Sequence, residues 1–182
     1  MILSQKALLL ASKAFCIYLL SEFKWLRTFR QTTVMKNLFE PATAAEIAQR
    51  LQQLKPEQPA RWGKMNAPQM LTHCETTFRV YFGELKLKQS IVGILFGRVA
   101  KKNLFHPKPW KKSLPTAKEF VIIDQKNFNE EMQKLTAQIQ RFHASGKTQD
   151  PPKHPFFGKM SAEEWAILGY RHLDHHLQQF GV

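Results

Sequence analysis

The chain is poor in cysteine: its 182 residues include only Cys16 and Cys74, and no C-x-x-C pair occurs. That excludes a disulfide framework and argues against a thiolate zinc site. It fits a reducing, cytoplasmic setting. Long apolar runs are also missing. The richest stretch, Leu8-Leu9-Leu10 followed by Phe15-Cys16-Ile17-Tyr18-Leu19-Leu20, is broken by Lys13. No run reaches the roughly 18 residues that a bilayer span needs, so no integral membrane insertion is expected. Lys13 also falls where the continuous core of a signal peptide would lie. Alternating strand patterns are absent. Finally, a whole region lacks acid: no Asp or Glu occurs between Glu84 and Glu119.

That acid-free region holds Lys86, Lys88, Arg98, Lys101, Lys102, Lys108, Lys111, Lys112 and Lys118, in a chain whose net charge is +13. Phe96, Phe105 and Trp110 are interleaved with them. Cations with aromatics can grip a nucleic-acid backbone and stack bases. No nucleic-acid-binding motif accompanies them. The favoured reading is a solvated face that frames a pocket for a small anionic molecule, with nucleic acid as the alternative.

Two segments are distinguished. Residues 1–34 have a composition of their own, and Met35-Lys36-Asn37-Leu38-Phe39-Glu40-Pro41 reads like a natural start. Residues 1–34 are therefore expected to be an extension, either outside the native protein or a peripheral helix. A membrane-surface helix is the alternative. Residues 35–182 form the expected domain.

Within it, helix starts are marked by capping pairs. Thr43-Ala44-Ala45-Glu46 has the form of a capping box and predicts a helix to about Leu54, with Pro56 and Pro59 after it. Asn66-Ala67-Pro68-Gln69 predicts a second, ending near Gly83. A third is expected from Asp124, carrying Phe128, Met132, Leu135, Ile139 and Phe142 on one stripe and closed by Gly146. Ser161-Ala162-Glu163-Glu164 caps the last, with Trp165, Leu168, His172, His176 and Gln179 at spacings of three and four. Between the second and third main helices, Ser90-Ile91-Val92-Gly93-Ile94-Leu95-Phe96-Gly97 is apolar enough to be buried, as a short helix. Pro107, Pro109 and Pro115 make the remainder a long loop. Four helices without strands argue for an all-α bundle.

The last helix carries the chemistry. His172 and His176 are four residues apart, so they share a helix face with Cβ atoms about 5–6 Å apart. Two imidazoles at that separation can hold one metal ion. His73, on the inward stripe of the second helix, is the third candidate. Three converging neutral imidazoles would leave coordination positions open, as catalytic sites do. His175, one residue round the helix, is the alternative to His176. His154, in His154-Pro155-Phe156-Phe157-Gly158, is a possible auxiliary acid–base group or fourth ligand, with a loop anchor as the favoured role. Asp174 is expected to be solvated, and Cys74 to be a buried, inert thiol. A short repeat links the two helices. Trp62-Gly63-Lys64-Met65 and Phe157-Gly158-Lys159-Met160 each precede a capped helix, which predicts that those helices meet near the histidines.

Four helices, one His on the second and a terminal His-x-x-His-His-x-x-Gln resemble the DinB/YfiT superfamily of metal-dependent proteins. The segments His154-Pro155-Phe156-Phe157-Gly158-Lys159-Met160 and His172-Leu173-Asp174-His175-His176-Leu177-Gln178-Gln179-Phe180-Gly181 resemble an uncharacterised branch of it. The likeness runs from about Met35 to the C-terminus. It implies a four-helix bundle of DinB/YfiT type with a long basic loop region between the second and third main helices. It also implies a divalent metal, zinc or nickel, on His73, His172 and His176, and a thiol-dependent S-transferase or related transferase or hydrolase activity. Such an enzyme would use a low-molecular-weight thiol such as mycothiol or bacillithiol and a small anionic or electrophilic substrate, and could form a homodimer. The alternative is a non-enzymatic bundle that binds metal, an anionic ligand or nucleic acid through its basic surface.

Overall fold

The two strongest start signals in the chain become helix N-termini. Asn66 accepts from the Gln69 amide while the Gln69 side chain accepts from the Asn66 amide. Ser161 and Glu164 make the same reciprocal pair. Each pair satisfies two backbone donors that a helix start leaves unpaired. The structure, a computed structural model, describes residues 35–182 except 115 and 149. The expectations for residues 1–34 and for Pro115 therefore lie outside the described residues.

In chain order the helices are α1 (Pro41–Gln53), α2 (Ala67–Tyr81), α3 (Ile91–Leu104), α4 (Phe128–Ser145) and α5 (Ala162–Phe180), with 3-10 turns at Lys118–Phe120 and Gly146–Thr148. One isolated bridge, His154 with Gly158, is the sole β pairing among the described residues. The described residues are all-α, as the patterning implies.

Two starts differ from expectation. α1 opens at Pro41, before the Thr43 box, and Glu40 offers no side-chain cap. Proline's fixed φ suits the first helical position, and Thr43 is buried inside the first turn instead. α4 begins at Phe128 rather than at Asp124. Asn127 is its cap, accepting from the Asn129 and Glu130 amides, with Glu130 and Glu131 in the first turn. Acids there suit the positive end of the helix dipole.

α2 packs most extensively along α4 and also against α5, and α1 packs against the same two helices. α2 is accordingly buried on nearly every side rather than along one stripe. Phe142 of α4 anchors the aromatic core. It stacks on Phe39 with centroids 5.0 Å apart and meets Phe78 and Tyr81 of α2 edge-on at 5.4 and 4.5 Å.

The region between α2 and α4 is the main departure. It is not a loop with a short buried helix: α3 runs for 14 residues, capped by Ser90, which accepts from the Gly93 amide at 2.9 Å. Nor is its apolar sequence buried, since only Gly93, Gly97 and Leu104 are. Its inner face rests on the 154–158 loop. The Ser90 amide donates to the Pro155 carbonyl at 3.0 Å. A Cβ on Gly93 or Gly97 would lie 2.7 or 2.2 Å from the Phe156 carbonyl oxygen. Two glycines one turn apart thus let a peptide group sit directly on the helix backbone.

That close approach is testable. Gly97→Ala is expected to lower stability by about 1–2 kcal/mol, because overpacking against a backbone carbonyl outweighs the roughly 1 kcal/mol that alanine gains in helix propensity. Urea unfolding should show a lower midpoint with an unchanged slope.

Candidate metal centre

His73 projects from the middle of α2, and His172 and His176 from successive turns of α5. The structure brings these three rings together, with ligand-type nitrogens all within 4.8 Å of one another. Ring centroids are 4.9 Å apart for His73–His172, 4.8 Å for His73–His176 and 4.7 Å for His172–His176. α2 and α5 do meet at the histidines, as the repeat predicts.

Hydrogen bonds set the tautomers. His73 Nδ1 lies 2.8 Å from the Phe120 carbonyl. A carbonyl only accepts, so Nδ1 carries the proton and Nε2 presents a lone pair. His176 Nδ1 lies 2.8 Å from Gln179 Oε1. The Gln179 amide nitrogen donates to the Trp62 carbonyl, which fixes its oxygen toward His176. His176 therefore also bears its proton on Nδ1, and its Nε2 has no hydrogen-bond partner among the described residues. His172 Nδ1 lies 3.2 Å from the Thr77 hydroxyl, which can donate or accept.

The consequence is a close contact, His73 Nε2 to His172 Nε2 at 3.0 Å. With His73 Nε2 unprotonated, two states satisfy it. Either His172 carries its proton on Nε2 and donates to His73, or both nitrogens face a shared cation and the His172 proton moves to Nδ1, toward Thr77. The neutral forms are strongly favoured. Burial is the main cause that lowers the pKa of all three: His73 falls below the ordinary value, His176 falls to about 3, and His172 lies well below the ordinary value. Neighbouring imidazoles push His172 and His176 further the same way. The three rings therefore hold their lone pairs at neutral pH, and the cluster could hold a metal ion. His73 and His176 are buried, whereas His172 keeps some exposure, which leaves one side approachable.

The other candidates take different places. His175 is turned toward Trp62 and Trp110, with centroids 5.7 and 5.9 Å away, and is outside the clustered set. His154 is a loop anchor. Its Nδ1 accepts from the Phe156 and Phe157 amides at 3.0 and 3.1 Å, while its backbone pairs with Gly158 and its ring packs on Trp165. Cys74 is fully buried with its Sγ 3.7 Å from Met70 Sδ, and burial pushes its thiol far above the ordinary value. Asp174 is not simply solvated: it pairs with Arg50 of α1 at 2.7 Å. Residues without an expected role also matter. Trp62, Trp110 and the Phe120 carbonyl form part of the surroundings, and Gln179 orients His176. Each side chain among them had a sequence signal, Gln179 in the His-x-x-His-His-x-x-Gln run, Trp62 in the repeat and Trp110 among the basic residues, but the Phe120 carbonyl had none.

Cations gather at the rim. Lys112 Nζ lies 4.7 Å from the Trp62 ring centre and the Arg171 guanidinium 5.6 Å from that of Trp110. Arg171 also donates to the His106 carbonyl and, at 2.6 Å, to the Lys108 carbonyl. It thereby straps the 106–110 segment across α5, with Trp110 6.3 Å from the His172 ring.

A family model described as Protein of unknown function (DUF1569) matches residues 41–181. It covers well over half of the chain, and the chain belongs to the DUF1569 family. No curated protein and no solved structure matches it.

The His154 anchor generates a pH prediction. Two backbone amides already point at Nδ1, so protonation there must break the loop. Burial holds the His154 pKa at about 4, below the ordinary value of 6.5. The unfolded chain then binds more protons between those values, and stability must fall as pH drops from 6.5 toward 4. His154→Asn keeps an acceptor that does not titrate. Denaturation across that range should show the wild type losing about 2–3 kcal/mol more than the variant.

Proposed function

We propose that residues 35–182 are a four-helix bundle of DinB/YfiT type, formed by α1, α2, α4 and α5. It holds one divalent metal ion, zinc or nickel, on His73, His172 and His176, and works as a metal-dependent transferase or hydrolase. Thiol-dependent S-transfer is the leading form of that activity. The observation that carries this reading is the 3.0 Å approach of two imidazole Nε2 atoms in a buried cluster, where at least one ring already has its proton committed to the opposite nitrogen.

When bound, such an ion supplies Lewis-acid chemistry with coordination positions still open. The protein's own groups do the rest. The Phe120 carbonyl and the Gln179 amide hold the His73 and His176 rings and keep their protons off the inner nitrogens. Thr77 accommodates the His172 proton on Nδ1. Trp62 and Trp110 wall the exposed side. Lys112 and Arg171 supply positive charge for an anionic substrate or a thiol cofactor. His175 lies beside the same aromatic wall, where a substrate would pass. A metal- or anion-binding module without catalysis is the competing reading, favoured by the uninterrupted basic stretch between Glu84 and Glu119.

Metal quantification on protein purified without a polyhistidine tag tests the proposal. One divalent ion per chain is expected, with binding lost in His73→Ala and His172→Ala. Gln179→Leu should weaken binding roughly 10–100-fold while leaving the fold intact. An ion retained by the His73→Ala and His172→Ala variants, or a wild-type chain that takes up none, overturns it. A thiol-transfer screen with electrophilic substrates then separates an enzyme from a binding module.

A further inference from the structure

α3 turns its apolar side to solvent. Ile91, Val92, Ile94, Leu95, Phe96 and Val99 are each between 57% and 77% exposed. The helix is seated on its glycine side by the 154–158 loop, and it makes no helix–helix contact comparable with those of the other four. A contiguous apolar face of this kind on a water-facing helix signals a binding surface.

The charge around it has one sign. α3 contains no acid, and Arg98 and Lys102 share its outward face. Lys86 and Lys88 precede it, and Lys108, Lys111 and Lys112 follow it. Of the basic residues on α3, Lys101 alone has a carboxylate partner among the described residues, Glu164 at 2.7 Å. A helix of 14 residues is about 21 Å long. No helix among the described residues is long and apolar enough to cross a membrane. An exposed aliphatic face with Arg98 and Lys102 set among its apolar side chains, whose long stems let the charges reach the headgroups, suits a helix lying in a lipid interface, where each basic residue near an anionic leaflet adds attraction. Nucleic acid fits less well, because five of the six exposed apolar side chains are aliphatic and cannot stack on bases.

We propose that α3 docks this domain on an anionic lipid surface. Its apolar face enters the headgroup boundary, and Lys86, Lys88, Arg98 and Lys102 engage lipid phosphates. The inference is independent of the metal reading.

Co-sedimentation of the full chain with vesicles tests it. Binding is expected to phosphatidylcholine vesicles that contain phosphatidylglycerol, to weaken as salt rises, and to be much weaker with phosphatidylcholine alone. Leu95→Asp and Phe96→Asp should each reduce binding roughly tenfold, and Arg98→Gln with Lys102→Gln should reduce it on anionic vesicles only. As a second readout, a Leu95→Trp chain should show a blue-shifted emission change on adding anionic vesicles. Absence of vesicle binding at low salt overturns the proposal, as does binding that Leu95→Asp and Phe96→Asp leave unchanged. A wild-type dimer that Leu95→Asp splits, without vesicle binding, gives the face to a second copy and overturns it too. Oligonucleotide binding without vesicle binding does the same.

Discussion

The centre depends on keeping three imidazoles neutral and aimed inward. Neutrality comes from burial, which makes a second or third positive charge in the same small volume prohibitive. Aim comes from the partner at each outer nitrogen: a backbone carbonyl for His73, a hydroxyl for His172 and a glutamine amide for His176. These partners arise in three separate parts of the chain, so the ring arrangement is a property of the packed helices. α2 lies against both α4 and α5, and that packing carries His73 up to the α5 pair.

The supporting contacts show how little of this is local. The chain from residue 58 to 62 wraps the end of α5. Gln58 donates to the Phe180 carbonyl, the Arg61 amide donates to the Gln179 carbonyl at 2.8 Å, and Trp62 holds the Gln179 side chain. Gly63 has φ +83°, and a Cβ there would lie 2.5 Å from Gln179 Nε2. Its counterpart in the repeat, Gly158, has φ +72° and closes the bridge with His154. The same aromatic-Gly-Lys-Met segment therefore leads into both histidine-bearing helices. One copy orients a ring from behind, and the other seats α3.

The sequence made some of this visible and concealed the rest for physical reasons. Caps that combine a short polar side chain with Gln or Glu three residues on were legible, because both halves of the interaction are local. The i, i+4 pair on α5 was legible for the same reason. Thr43 misled because Pro41 had already set the backbone, and Asp124 because Asn127 caps better placed amides. The length of α3 was hidden by its two glycines, whose purpose is a contact with Phe156 more than fifty residues away. Its exposure was hidden because apolar sequence reads as core, although burial is not obligatory. The Phe120 carbonyl leaves no mark on residue type, and the Arg50–Asp174 pair joins positions 124 apart. The spacing on the last helix and the inward stripe of the second named the three histidines, and the family match over residues 41–181 assigns no reaction.

The Arg171 strap has a mechanical consequence. α3 ends at Leu104, and the His106 and Lys108 carbonyls that follow are gripped by Arg171, the residue immediately before His172. A tether this short has almost no slack. The guanidinium thus stitches the stretch that leaves α3 to the histidine-bearing helix, one residue short of Trp110's neighbour and one residue before His172.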